Sequence, residues 1–335
     1  MSAIQEYHQI LYPHIPEFLM PYLDCPCLTR LKGIGLFCGI DYSASFHPSL
    51  FYSRFDHSLG VALITWRLTQ HKLATLAALF HDISTPVFSH VIDFKNKDYL
   101  NQESTERANA SMILADTQLI TLLENDQIDP SHILYDHIYP IANQQTPHIC
   151  ADRLEYMFAT GLFLTHSFDL ETITKCINDL AITFNEDGLE EPSFQHIEIA
   201  QMFFECSLVV SQLFLDYKNK ITLELLAQIV DIALHQNILK TEDLYTKSEL
   251  EVLHILENCH HCLLQTYLKT FKHQTQIWHS NQPQENCFFA KLKVKVRYID
   301  PLCHQSRLSN ISQKTREAIE HLFMMEDNYI CLPLL

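Results

Sequence analysis

The sequence predicts a mainly α-helical fold with a small β-hairpin insertion and a small α/β C-terminal appendage. Three observations carry that reading. Apolar residues recur at helical spacing through most of the chain. Only 6 glycines occur in 335 residues, too few for a glycine-rich α/β nucleotide-binding fold. Alternating, β-prone patterns are confined to residues 178–197 and to the tail beyond 282. The length fits two ordinary domains or one large one. The pattern divides it into a helical core (1–177), a hairpin with a helical continuation (178–281) and the appendage (282–335).

Residues 1–53 read as short helices and turns, because Pro13, Pro16, Pro21 and Pro26 fix φ and remove backbone donors. Residues 28–35 (LTRLKGIG) form a short helix ending on glycine, and 36–53 a loop. From His57 the stripe His57, Val61, Ile64, Leu68 has helical spacing and puts the imidazole on the buried face. A second stripe, Leu73, Leu76, Ala77, Phe80, His81, does the same for His81 at a helix end. Asp82 follows about 100° round the turn. Thr85-Pro86 reads as an N-cap and first helical position for a short helix bearing Ser89, His90 and Asp93. Residues 101–124 read as one helix capped by Asn101, and Asp129-Pro130 starts another.

In 147–164 the stripe Asp152, Tyr156, Ala159, Phe163 sets a carboxylate on an otherwise apolar face. Asp187-Gly188 between two β-prone runs reads as a hairpin turn. Helical patterns cover about 197–218, 221–236 and 247–272. KLKVKVRYID (291–300) alternates strictly, with Leu292, Val294, Val296 and Tyr298 on one side and basic residues on the other, the mark of a half-exposed strand. NYICLPLL at the C-terminus is its expected partner.

The formal net charge is −17, which argues against broad nucleic-acid binding but leaves room for a small anionic ligand in a local pocket of cations or metal. The N-terminus lacks a signal-peptide pattern, and no uncharged apolar run is expected to span a membrane. The 11 cysteines, scattered through helical patterns, read as reduced thiols of a cytoplasmic protein. Cys259-His260-His261-Cys262 has the spacing of a zinc half-site, but no second such pair completes it, and Cys25-Pro26-Cys27 reads as buried thiols.

A lone histidine on an apolar helix face is ordinarily a hydrogen-bonded core residue. His57, His81, Asp82 and Asp152 together are harder to dismiss, since imidazoles and carboxylates are costly to bury without a partner. One divalent metal (Mn, Fe, Zn, Ni, Co or Mg) suits that donor set, and helices can converge such side chains in a bundle core.

The order H…HD…D resembles the signature of HD-domain phosphohydrolases. The words YSRFDHSLG (52–60), ALFHDI (78–83), PVFSH (86–90) and ADRLEY (151–156) resemble the deoxynucleoside-triphosphate triphosphohydrolase-like branch. The resemblance covers roughly residues 22–220. It implies an HD-domain helical bundle with His57, His81, Asp82 and Asp152 as metal ligands and Arg54 near substrate phosphate. It further implies His90 and Asp93 in the active-site wall, with His90 the proton donor, and Arg30 and Tyr156 near substrate. The implied activity is metal-assisted hydrolysis of a phosphate ester or anhydride, the substrate a small phosphorylated compound such as a nucleotide, and the assembly a homodimer.

The chain departs from that branch in several places. Thr85 stands where a histidine usually follows the doublet, and Gln102-Glu103 where a His-Glu pair is expected. Thr29 replaces a sugar-contacting glutamine, and the segment Gln212–Lys218 lacks the tyrosine-x-histidine-lysine pattern. Thr85 and Gln102 motivate a second reading, a regulatory module that holds metal or nucleotide without efficient turnover.

Overall fold

Residue Ser53 begins the element on which the rest packs. Its hydroxyl accepts the Asp56 N–H at 3.1 Å while the Asp56 carboxylate accepts the Ser53 N–H at 3.1 Å, a reciprocal cap that starts the helix Arg54–Thr69. Residues 57–65 of this helix are buried without interruption, so it is a core helix rather than a surface one. It packs against the helices Lys72–Leu79, Ala151–Thr160 and Ala3–Leu11. The computed structural model describes residues 2–97, 99, 109–324 and 329–335.

Two long helices, Ile197–Leu215 and Tyr217–His235, meet at Asp216, whose carboxylate accepts the Lys218 N–H at 2.7 Å and caps the second. Tyr217–His235 closes over the short helix Val91–Lys95 and the later helix Cys262–His273. Among the described residues seven strands make two small sheets: β1 (Leu180–Phe184), β2 (Glu190–Phe194), β3 (Trp278–Ser280), β4 (Cys287–Ala290), β5 (Leu302–Cys303), β6 (Ser306–Arg307) and β7 (Tyr329–Pro333). β1 and β2 pair antiparallel from Leu180↔Phe194 to Phe184↔Glu190, and Gly188, at φ 74°, supplies the left-handed turn position. β2 continues parallel to β5, giving the order β1-β2-β5-β6. The hairpin and the tail thus share a sheet. Arg307 fastens it, its Nη1 donating to the buried Glu191 at 2.6 Å and its Nη2 to Glu186 at 2.8 Å.

The mainly helical expectation holds, as do the hairpin and its turn. Several elements differ from the reading of the sequence. Thr85-Pro86 does not start a helix. Residues 87–90 form turns, with Phe88 and Ser89 at φ 62° and 51°, and the helix begins only at Val91. The span read as one helix is broken at Asp116, which leaves the helix Asn109–Ala115 and caps Thr117–Asn125 through the Leu119 N–H at 3.0 Å. Its first part, with Asn101 and the Gln102-Glu103 pair, lies outside the described residues. Asp129 does cap, but only a single 3-10 turn, Pro130–His132. The 247–272 pattern is two helices, Glu249–Glu257 and Cys262–His273, and His261 caps the second by accepting the Leu264 N–H at 3.2 Å.

The expected strand at 291–300 does not form, since the segment joins no ladder among the described residues, and β7 pairs instead with β3 and β4. Ile197–Leu215 is long and apolar enough to span a membrane by length and composition, with mean hydropathy 1.3, although it carries Glu198 and Glu205 and so is not an uncharged run. In this fold it packs on the helices Ala151–Thr160, Leu170–Asp179 and Gln313–Phe323, and Lys314 Nζ reaches its Glu205 at 2.6 Å.

Candidate metal centre and cavity

Three helices each deliver one part of the site. His57 projects from the second turn of Arg54–Thr69. His81 and Asp82 follow the C-terminal residue of Lys72–Leu79, where the chain turns, and Asp152 lies in the first turn of Ala151–Thr160. The His57 and His81 rings sit 5.1 Å apart and tilted. Each imidazole has its Nδ1 occupied by an acceptor: His81 donates to the Ala78 carbonyl at 2.8 Å, and His57 to Glu155 Oε2 in a short contact. That fixes both tautomers with Nε2 facing inward.

His57 Nε2 is 3.2 Å and His81 Nε2 3.6 Å from the same oxygen, Asp152 Oδ1. The ligand atoms of these three residues all lie within 4.8 Å of one another, the only such group among the described residues. Lone pairs on two nitrogens and a carboxylate oxygen pointing at one small space are mutually repulsive unless a cation fills it. The donor set therefore fits a divalent metal with imidazole and carboxylate ligands. The electrostatics show that the carboxylates draw positive charge to this point, whether a proton or a metal ion. Burial works against charging His81, yet the Asp82 charge and the Asp152 hydrogen bond outweigh it and push its pKa up to about 10. Burial likewise opposes ionising Asp152, and the two histidines overcome it and hold the carboxyl well below the usual range.

Asp82 stands slightly apart. Its Oδ2 is 3.9 Å from each imidazole Nε2 and accepts Arg54 Nη1 at 2.5 Å, while its Oδ1 accepts the Thr85 hydroxyl at 3.1 Å. Burial raises its pKa, and the Arg54 charge more than reverses that. Arg54 is held in turn by Nε donating to Ser89 Oγ at 3.1 Å. The geometry thus gathers His57, His81 and Asp152 at one point, with the Asp82–Arg54 pair at its edge.

The sequence reading assigned Glu155 no role. Fully buried, it accepts from His57 through Oε2 and from Tyr52 and Tyr7 through Oε1, at 2.5 and 3.2 Å. Gly60 makes room for it, since a Cβ there would lie 2.7 Å from the carboxylate. A carboxylate behind a ligating histidine aims the ring and raises its basicity. The signal was the spacing: Asp152 and Glu155 are three residues apart on one helix, so they share a face.

Residues 54–148 match the family model of the HD domain. That match places an HD domain over this part of the chain. The chain is 29% identical to a stretch of the metal-dependent phosphohydrolase cns2 of Cordyceps militaris, over 41% of this chain and 39% of that one. It is 25% identical to the uncharacterized protein YdhJ of Bacillus subtilis over 96% of both. A phosphohydrolase from Bacteroides thetaiotaomicron shares the fold, with a TM-score of 0.64 at 14% identity, over 96% of this chain and 97% of that one.

The HD site opens into a cavity of about 1210 Å³, whose walls include Arg54, His90 and Tyr156. Leu213, Phe214 and Leu223 give it an apolar side, and the Tyr156 ring meets Phe214 edge-on at 6.2 Å. His90 Nδ1 pairs with Asp93 Oδ2 at 2.8 Å, and Asp93 is fully buried. Burial lowers the His90 pKa, Asp93 opposes, and the Arg297 and Arg54 charges add to the lowering.

Arg30 is placed elsewhere. Its Nη2 donates to the Ile83 and Thr85 carbonyls at 2.7 and 2.6 Å, so it braces the turn after the His-Asp doublet and does not line the cavity. The Cys259–Cys262 group forms no metal cluster among the described residues; His261 has its Nδ1 engaged as a helix cap.

Proposed function

We propose that the protein hydrolyses a small phosphate ester or anhydride, a nucleotide or close relative, at the HD site. The observation that supports this best is the convergence of His57, His81 and Asp152 beside a cavity that also presents Arg54 and His90, with Asp93 buried behind the His90 ring rather than in the cavity wall the sequence reading gave it. His57, His81 and Asp152, with Asp82 adjoining, would hold a divalent cation, which when bound neutralises phosphoryl oxygens and lowers the pKa of water. Arg54 reaches the same edge of the site and stabilises charge that develops on the phosphoryl group. His90, oriented by Asp93, gives a proton to the departing oxygen. Tyr156 and Phe214 offer ring faces and edges to an apolar or aromatic part of the substrate.

The test is metal analysis of the purified protein together with phosphate release from nucleotides, cyclic nucleotides and simple monoesters. Wild type turns over at least one class, and Asp152→Ala, with melting retained, loses both metal and turnover. Folded, metal-loaded wild type that hydrolyses none of them refutes the proposal.

Thr85 supports a second reading, a regulatory protein that holds metal or nucleotide with little turnover. It donates to Asp82 Oδ1 through a hydroxyl that neither gains nor gives up a proton near neutral pH. Thermal stabilisation by a nucleotide without product marks that case.

A further inference from the structure

Arg54 and His90 both depend on one strained turn. Phe88 and Ser89 sit at φ 62° and 51°, a region costly for residues with a Cβ. Ser89 Oγ accepts Arg54 Nε at 3.1 Å and donates to the Gly35 carbonyl at 3.3 Å, and His90, next in the chain, lines the cavity. One bond closes the turn from within, Ser89 N to the Pro86 carbonyl at 2.9 Å. Two others reach it from far along the chain. The Val87 N–H donates to the Leu244 carbonyl at 2.8 Å, and the Phe88 N–H to Glu249 Oε1 at 3.3 Å. Gly39 leaves room for the Phe88 ring, since a Cβ there would lie 2.6 Å from it.

Glu249 opens the helix Glu249–Glu257, whose start is fixed separately by the reciprocal cap between Ser248 and Glu251. The cap does not need the Glu249 side chain, which is fully buried. Its Oε2 makes no hydrogen bond and lies against Gly35, where a Cβ would come within 3.1 Å of it. Burial, with Asp41 adding, pushes its pKa up to about 8 against the opposing effects of Gly35, Tyr42 and Phe88. Near neutral pH it is therefore an uncharged acid, the form that is less costly to bury. An apolar side chain would pack there at lower cost still. What Glu249 offers in return is an acceptor for the Phe88 N–H, which has no other among the described residues.

We propose that Glu249 is a positioning residue of the candidate active site: its carboxyl holds the turn at 87–90, and through Ser89 and His90 it sets Arg54 and the proton donor. This rests on the hydrolase reading for what Arg54 and His90 do, but not for how they are held. Glu249 lies about a hundred residues beyond the 54–148 that match the HD domain, so the later helices support the site as well as cover it.

The experiment uses the full chain. Glu249→Met removes the acceptor at similar bulk, and Glu249→Gln keeps it in a neutral group. Glu249→Asp covers the case in which the methionine variant fails to fold, because one carbon less withdraws the carboxyl from Phe88. Glu251→Ala is the control: it breaks the Ser248 N to Glu251 Oε2 bond of 2.8 Å in the same helix and lowers the melting temperature without touching the turn. With Mn²⁺ restored, kcat and KM are measured for a nucleoside diphosphate and for p-nitrophenyl phosphate, and Mn²⁺ affinity by titration calorimetry. The ring ¹⁵N signals of His90, assigned by their absence in His90→Gln, are recorded on chelator-treated protein at one pH.

In Glu249→Met, kcat falls about tenfold or more while KM and Mn²⁺ affinity stay within about twofold, because Arg54 and His90 act on charge that develops during the reaction. The His90 signals move. Glu249→Gln keeps kcat within about threefold, and Glu251→Ala keeps both kcat and the His90 signals. The proposal is overturned if a folded Glu249→Met, or Glu249→Asp in its place, keeps wild-type kcat or leaves the His90 signals where they were. It is overturned equally if the glutamine variant or the Glu251 control loses as much. If wild type hydrolyses neither compound while the His90 signals move in Glu249→Met and hold in the control, the hydrolase reading fails and this one stands. If wild type hydrolyses them and every variant matches it, this one fails and the hydrolase reading stands.

Discussion

Glu155→Gln isolates what the buried carboxylate does for the metal centre. Glu155 accepts three hydrogen bonds at a position with no solvent exposure: from His57 Nδ1, from Tyr52 at 2.5 Å and from Tyr7 at 3.2 Å. A glutamine keeps the shape and one acceptor. With its oxygen toward His57, its NH₂ faces the two tyrosines, whose hydroxyls rotate to accept, and Tyr52 can then donate to His8 Nε2 at 3.1 Å. The fold survives at a cost of about 1–3 kcal/mol, the usual range for weakened buried hydrogen bonds to a charged group. The metal centre loses more specifically. A neutral acceptor behind His57 makes its Nε2 a poorer donor, and metal affinity drops about 10–100-fold, or roughly 1.4–2.8 kcal/mol.

Calorimetric titration of Mn²⁺ or Zn²⁺ into chelator-treated protein, beside a thermal melt, reads both effects. Tyr52→Phe is the comparison, because it takes a partner from Oε1 and leaves the His57 contact in place. It lowers the melting temperature with little change in metal affinity. Equal affinity in wild type and a folded Glu155→Gln would refute the reasoning.

Two further predictions concern protons. Glu249 is buried with a backbone partner, the Phe88 N–H at 3.3 Å, and burial, with Asp41 adding, pushes its pKa up to about 8. Its folded-state value lies above its unfolded one, so its contribution is full below about 4.5 and is lost as pH rises toward 8. Between those values stability declines by up to about 1.4 kcal/mol per pH unit from this group, and denaturant melts of Glu249→Gln lack that part of the slope. His90 has the reverse shift. As proton donor it acts in its charged form, so kcat/KM falls as pH rises through a value below 6.5, and His90→Gln removes that limb of the profile. A rate that instead rises through that region would make His90 a base.

Much of the site was legible because chemistry and period coincide in it. His57, His81 and Asp152 fall on the inward stripe of their helices, and a buried imidazole is informative in a way a buried leucine is not. Glu155 was passed over because its partners, Tyr7, Tyr52 and His57, lie far away in sequence, and only the fold shows that it is behind the ring. Residues 291–300 show the limit from the other side. Alternation correctly divided buried Leu292 and Val294 from the basic face, but it reports burial and not pairing, so the expected strand partner was wrong. The turn at 87–90 was hidden since Phe88 and Ser89 adopt positive φ, which neither residue type advertises. Asp116 was read through because a capping aspartate inside an apolar period looks like an exposed helical position.

The bond from Tyr7 to Glu155 has a consequence for the order of assembly. His57 and His81 leave the ribosome well before the carboxylates that aim and complete them, and the hydroxyl from the first helix must wait for residue 155 to find its acceptor. An ion arriving early meets loosely held imidazoles and no finished cage. In small zinc modules the metal drives folding. A cation that needs Asp152 as well as His57 and His81 finds its full set of donors only where segments about a hundred residues apart have folded together.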